Sequence, residues 1–366
     1  MENTFKLKSM ITPALLLGSM MSGAIHANDL EVYSELSIST PPGNIAVSKD
    51  DRKFISIHSF FGPELRMGEL LKDGSVKPYP NKAWALEHNV FSLNDVLGVN
   101  IDDNGVLWML DTSSDKRAGR LVGWNTKKEQ LERVIYISKP TLNSASFLND
   151  FAIDQKNNYI YIADTASGDK SAIIIVNLKT GQTKRVLEGS KFTVYEDIDM
   201  VVADRKINLG GQPLRLGINP ITISPDYQWV YFGAMNGKSL YRISTKYLSD
   251  FNLTDQELTK HIERYGDKPI SDGITVDSEG NVYVTSVTDN SIGIVKPDGS
   301  YKTLFKDKMI NWSDGFAFGP DNKIYVTVNQ LQNSPVLNPS VKFTPKTTKP
   351  FKVLRFDSLS SGTVGR

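Results

Sequence analysis

Six times along the chain, two apolar positions separated by one residue lead into a polar turn holding Asp, Gly or Asn. The turn leads into an alternating run rich in Val, Ile, Tyr and Thr. The pattern is clearest in SDGITVDSEGNVYVTS (271–286) and SDGFAFGPDNKIYVTV (313–328), and it returns with drift at 43–57, 97–111, 148–164 and 218–234. Period-two alternation around such a turn predicts a β-hairpin. Just before the first apolar pair stand Gly43, Leu97, Asn149, Asn219, Asp272 and Asp314, at intervals of 54, 52, 70, 53 and 42 residues. A second hairpin pattern follows at 121–137, 172–187 and 292–305, which makes four strands per repeat. Repeats of this length and strand count predict an all-β, six-bladed β-propeller. A β-sandwich also has short strands at regular spacing, but nothing in its physics repeats one phrase six times. Inner strands are expected at 45–47, 99–101, 151–153, 221–223, 274–276 and 316–318.

The departures from the repeat are as informative. The longest interval carries an insert at about 191–216, expected to lie over one mouth of the ring. Thr254 and Glu257 have capping-box spacing and predict a short surface helix that includes His261. Pro78, Tyr79, Pro80 and Trp84 mark 62–89 as an extended arm, and four prolines mark 330–350 as an irregular loop. The final blade is to be completed by 351–356 or by 30–38 from the other end.

Composition narrows the function classes. Forty-two Lys and Arg against 41 Asp and Glu leave no charge bias, and no basic stripe tracks a phosphate backbone, so nucleic acid is not an expected partner. Lys6 and Lys8, an apolar stretch over 10–21 and small residues ending at Ala27 have the layout of a cleaved secretory signal. The expected organisation is a signal over 1–27 and one propeller over 28–366, secreted or periplasmic, with no stable membrane span after cleavage. There is no cysteine, so ring closure has to do the work of disulfides.

In a propeller the starts of the inner strands line one channel mouth. Four of the six starting positions, Asn149, Asn219, Asp272 and Asp314, offer side-chain oxygen, and Asp150 adjoins one of them. Oxygen donors converging in this way suit a hard cation such as calcium, or a polar ligand; Asn and Asp capping turns is the structural alternative. Trp312, just before Ser313 and Asp314, is the expected aromatic of the channel wall. Trp108, Tyr161, Tyr231, Tyr283 and Tyr325 recur at one repeat position and are expected to pack between blades. His58 and His88 are within reach of a mouth, with a structural role expected for both. No metal-ligand spacing of histidines, nucleophile elbow or phosphate loop is present.

Several ordered segments, SFLNDFAIDQKNNYIYIADT, SPDYQWVYFGAMNGKSLYRISTKYL, SDGITVDSEGNVYVTSVTDNSIGIV and WSDGFAFGPDNKIYVTVNQL, resemble the yellow / major royal jelly protein family over 41–356. The resemblance implies a secreted six-bladed propeller binding a small aromatic or amine ligand in its channel, with dopachrome-isomerase-like activity as a further expectation. Ligand contacts would come from Asn149, Asp150, Asn219 and Trp312, with Asp272 and Asp314 in catalytic roles. More distantly the repeats resemble SMP-30/gluconolactonase-like propellers. That likeness implies a calcium-dependent lactonase or esterase with Asn149, Asn219 and Asp272 as metal ligands. Gly43, with Asn44 beside it, stands where that group carries a glutamate. A non-enzymatic, protein-binding propeller is the third expectation.

Overall fold

The six hairpin phrases become the inner halves of six four-stranded antiparallel sheets. The computed structural model describes Met1 and residues 30–112, 114, 117–340, 342–344 and 350–365. Apart from Met1, the expected signal lies outside the described residues. The inner strands are Pro42–Val47, Val96–Ile101, Leu148–Asp154, Ile218–Ile223, Ile274–Val276 and Ser313–Phe318, opening blades 1 to 6 in that order. Each packs beside the next, and blade 6 returns to blade 1, so the ring is closed. No helix among the described residues is long and apolar enough to cross a membrane.

Both chain ends complete blade 6. Phe351–Asp357 is its third strand and Glu31–Leu36 its outermost one. Arg355 binds Glu31 at 2.7 Å across this seam, and Lys352 pairs with Glu35. The pairing fixes the two ends of the ring together in a chain without cysteine.

The recurring aromatic holds each inner hairpin from within. Trp108 Nε1, Tyr161 Oη, Tyr283 Oη and Tyr325 Oη donate to Asp102, Asp154, Asp277 and Asp321, the acid at the turn of their own hairpin, at 2.9–3.2 Å. In blade 4 Tyr231 packs edge-on against Tyr265 instead. All five rings are buried; a polar tip that finds a partner lets a large ring be buried without a desolvation penalty.

Two expectations need correction. The segment 62–89 is not an extended arm: Met67–Leu70 and Val76–Pro78 pair as the outer half of blade 1, with the proline at the strand's end where no ladder donor is missed. The capping-box helix forms, with Thr254 and Glu257 satisfying each other's backbone donors, but it stops at Thr259. His261 therefore lies beyond it, stacked on Tyr247, and Ile262–Asp267 becomes the outer strand of blade 4, since period-two pairing outcompetes a five-residue helix.

The two channel mouths differ. Where the inner strands end, residues 358–365 run across the opening: Ser278 donates its amide to Ser361 O, Gly365 donates to Phe318 O, and Gly365 packs on Ile101 of blade 2. The segment thus spans this end of the ring from blades 5 and 6 to blade 2.

Candidate functional site

At the open mouth every inner strand begins with an irregularity. Register shifts fall between Pro42 and Ile45, Val96 and Val99, Leu148 and Phe151, Ile218 and Ile221, and Ser313 and Phe316. In blade 5 the strand starts only after Asp272 and Gly273. A bulge breaks the ladder locally and turns a side chain out of the alternation. Here it turns one residue of each blade toward the axis. Gly43, Leu97, Asn149, Asn219, Asp272 and Asp314 all line one cavity of about 260 Å³.

The bulged amides are satisfied by hydroxyls of the second strand. Thr285 Oγ1 accepts from both Asp272 and Gly273 at 3.0 Å, Thr327 Oγ1 accepts from Gly315 at 3.1 Å, and Ser56 Oγ accepts from Asn44 at 2.8 Å. Thr327 and Ser56 pass their own protons to Gly43 O and Leu97 O of the following blade. These hydroxyls tie blade to blade beneath the site, so the acids above them rest on a rigid ring. Glycines let the blades approach: a Cβ on Gly273 would stand 2.0 Å from Asp314 O, and one on Gly315 2.0 Å from Asn44 Oδ1.

Three carboxyls meet on this floor. Asp272 is buried and accepts from Trp312 Nε1 and from Asn219 Nδ2, both at 2.7 Å. Asp150 accepts from Phe151 N at 2.8 Å and from Asn44 Nδ2 of blade 1 at 3.1 Å. Asp314 accepts from Asn329 Nδ2 at 2.9 Å. Withdrawal from water pushes the Asp272 pKa up to about 6 and, with the Asp272 charge adding to it, that of Asp150 up to about 7. Burial, with repulsion from both other acids, holds Asp314 well above the usual carboxylate range. The cavity lining has no Lys or Arg among the described residues. The floor is therefore a set of carboxyls whose proton affinity burial and mutual repulsion raise, with no Lys or Arg among the described lining residues to oppose this.

Two inserted segments roof the cavity. Leu209, Leu214 and Leu216 come from the blade 3–4 insert, and Leu331 and Leu337 from the loop before the last strand. Arg205 joins the two caps by donating to Leu337 O at 3.1 Å and to Gln332 O. Trp312, Phe60, Phe147 and Met235 complete apolar walls.

All the residues singled out from sequence, Asn149, Asp150, Asn219, Asp272, Asp314 and Trp312, line this cavity. Asn44, the residue after the repeat position, also lines it, as does His58, which the sequence placed within reach of a mouth; Asn329, after the second strand of blade 6, reaches the site through Asp314. The repeat of hydroxyls at Ser56, Thr285 and Thr327 was the available sign that the strand starts are bulged. His88 is away from the cavity and pairs with Arg66 at 2.9 Å. For calcium, Asn149, Asn219 and Asp272 have suitable donor chemistry, but both Asp272 oxygens are taken by N–H donors. Among the described residues no group of three or more Asp, Glu, His or Cys is placed to hold a metal.

A family model described as Major royal jelly protein matches residues 95–333. Major royal jelly protein 9 of Apis mellifera is 28% identical over 182 residues, 47% of this chain and 41% of that protein; the match spans about two fifths of that relative. Among solved structures, a luciferin-regenerating enzyme aligns over 92% of this chain and 98% of its own with a TM-score of 0.58 at 13% identity. Regucalcin, a calcium-binding protein from Agrobacterium tumefaciens, aligns over the same shares with a TM-score of 0.56 at 15% identity. A gluconolactonase from Xanthomonas campestris gives 0.55 at 13%, over 90% and 91%. At these identities the structures establish a shared fold and nothing about chemistry.

Proposed function

Because the chain belongs to the major royal jelly protein family, whose model matches well over half of it, we propose that its cavity binds a small aromatic amine. The ammonium lies on the carboxyls of Asp150, Asp272 and Asp314, and the ring lies between Trp312, Phe60 and the leucines of the caps. One observation carries this reading: three carboxyls converge in a cavity with leucine and aromatic walls and, among the described residues, no Lys or Arg in its lining. Buried charge needs a partner, and a cationic ligand supplies it. At about 260 Å³ the cavity is at the small end of ligand pockets, which suits a small ligand.

Dopachrome-isomerase-like chemistry is the finer part of the proposal. Asp272, held as an anion by Trp312 and Asn219, would take a proton from a ligand carbon; the electron pair would move through the conjugated ring, and a protonated Asp314 would deliver a proton to the ligand oxygen. Carboxyls whose proton affinity is raised by burial suit both halves of such a shift. No cofactor is needed for it.

Calorimetry and thermal melts with tyramine, dopamine and p-cresol test the binding reading. The amines should bind and raise the melting temperature, by the equivalent of about 2.7 kcal/mol at roughly 100 times Kd. Asp272→Asn should weaken amine binding roughly 10- to 100-fold, the scale of one charge-assisted hydrogen bond in a buried site. Amines that leave the melt unmoved overturn the reading.

The competing proposal is calcium-dependent lactone or ester hydrolysis on Asn149, Asn219 and Asp272, favoured by their all-oxygen donor set. The bound ion would supply a Lewis acid for a carbonyl. It requires Trp312 and Asn219 to give up Asp272. A melt in millimolar calcium against chelator decides it: a rise that Asp272→Asn abolishes supports the ion, and equal melting temperatures exclude it. A protein that answers to neither calcium nor amines would fall to the protein-binding reading.

A further inference from the structure

Among the described residues His58 is the one imidazole in the cavity lining, and the amine reading above leaves it without a task. It follows the second strand of blade 1, Lys53–Ile57, whose last residue pairs with Pro42. This sets His58 about one residue layer above the Gly43 and Asn44 floor, on the side of the mouth. Its backbone amide donates to Pro41 O at 2.8 Å. Its ring Nδ1 accepts from Phe60 N at 3.3 Å, capping the short turn Ser59–Phe61. The Phe60 ring packs edge-on at 4.8 Å and the Phe61 ring at 6.4 Å.

These contacts define the proton position. An Nδ1 that accepts from a backbone amide has its lone pair in use, so in the neutral ring the proton is on Nε2. Burial between the two phenyl rings favours the neutral form and pushes the pKa down to about 4. Nε2 has no hydrogen-bond partner among the described residues and is not fully enclosed. An unpartnered N–H at the edge of an apolar cavity is a recognition element, because a ligand that satisfies it gains and one that buries it unpaired loses.

We propose that His58 is a specificity-determining residue that donates its Nε2 proton to an acceptor oxygen on the ligand's ring. The cavity then reads two features of one molecule: a cation by the acidic floor and an oxygen by the imidazole one layer above. The substrate class narrows from aromatic amines to those carrying a ring hydroxyl or carbonyl. A phenylalkylamine without oxygen leaves Nε2 unpaired and is discriminated against. The inference rests on the amine reading for the cationic end alone; the oxygen end stands on His58.

Calorimetry with tyramine, phenethylamine and p-cresol separates the two ends. Wild-type protein should bind tyramine about five- to ten-fold more tightly than phenethylamine, the scale of one hydrogen bond to a buried donor. His58→Phe should bring the two within two-fold. His58→Gln, which keeps an N–H at similar reach, should recover much of the preference, and melts of both variants establish that they fold. Nitrogen-15 spectra at pH 7 should show the Nε2–H tautomer, with its proton resonance moved by tyramine and p-cresol and not by phenethylamine. A preference that survives in His58→Phe, no preference in the wild type, or an Nδ1–H tautomer overturns the role of His58. If p-cresol binds as tightly as tyramine, the amine reading falls while the His58 assignment stands. Failure of all three probes to bind overturns both.

Discussion

Asp314→Asn should melt higher than the wild type at pH 8, by roughly 3–6 °C, and by progressively less as the pH falls toward the ordinary carboxylate range. Burial, with the charges of Asp272 and Asp150 added, raises the Asp314 pKa well above its ordinary value. A raised folded-state pKa means that the unfolded chain loses this proton first as the pH rises. The stability contribution is fully present below the ordinary carboxylate pKa and is lost as pH climbs through the folded one. An asparagine cannot ionise, still offers an oxygen to Asn329, and escapes that loss. Leaving a buried charge uncompensated costs several kcal/mol, which for a domain of this size corresponds to a shift of several degrees. His58 and Lys268, whose pKa values burial lowers to about 4 and about 7, contribute stability with the opposite pH slope. The variant-minus-wild-type difference cancels both. Calorimetric melts across pH 5–8 check it, and a difference that does not grow with pH would show that Asp314 carries no raised pKa. The gain should come with weakened amine binding, as expected when a site holds groups that destabilise the empty fold.

Gly273→Ala should cost about 3 kcal/mol or more and damage the site even where the protein still folds. The added methyl would lie 2.0 Å from the backbone oxygen of Asp314 in the next blade, and no rotamer change relieves a clash with backbone. Overpacking costs about 1–3 kcal/mol when side chains can give way; here the inner strands of blades 5 and 6 have to separate. Separation strains the Thr285 hydroxyl that receives the Asp272 and Gly273 amides. It also moves Asp314 relative to Asp272. Denaturant melts paired with tyramine calorimetry check both parts. An alanine variant of wild-type stability and affinity would mean that the blades pack less closely than the structure has them.

The serines and threonines of the second strands show how far the primary structure could be read. The six-fold phrase identified the blades and their inner strands, because period-two alternation is a local property and each copy repeats it. It also identified which positions share a mouth, since equivalent residues of a closed ring are neighbours by symmetry. The capping box at Thr254 was readable for the same reason, as all its bonds fall within four residues. The length of that helix was not, because a partner strand in blade 4 decided where it ended. The outer hairpin of blade 1 was hidden likewise: its prolines forbid a central strand, but tolerance at a strand end depends on what lies beside it.

What the sequence alone determined, then, was the ring, its six-fold count, and the gathering of Asn149, Asp150, Asn219, Asp272, Asp314 and Trp312 at one end. Tertiary structure decided their chemistry. Whether Asp272 meets a cation or the indole N–H of Trp312, and whether Asp150 reaches Asn44, depends on contacts between residues 40 and 106 positions apart. The spanned lower mouth and the capped upper one depend on residues 358–365, the insert and the pre-terminal loop meeting blades far from them in sequence. A carboxyl's proton affinity and a histidine's tautomer are set by dielectric, neighbouring charge and hydrogen-bond direction in three dimensions, and the order of residues along a chain records none of these.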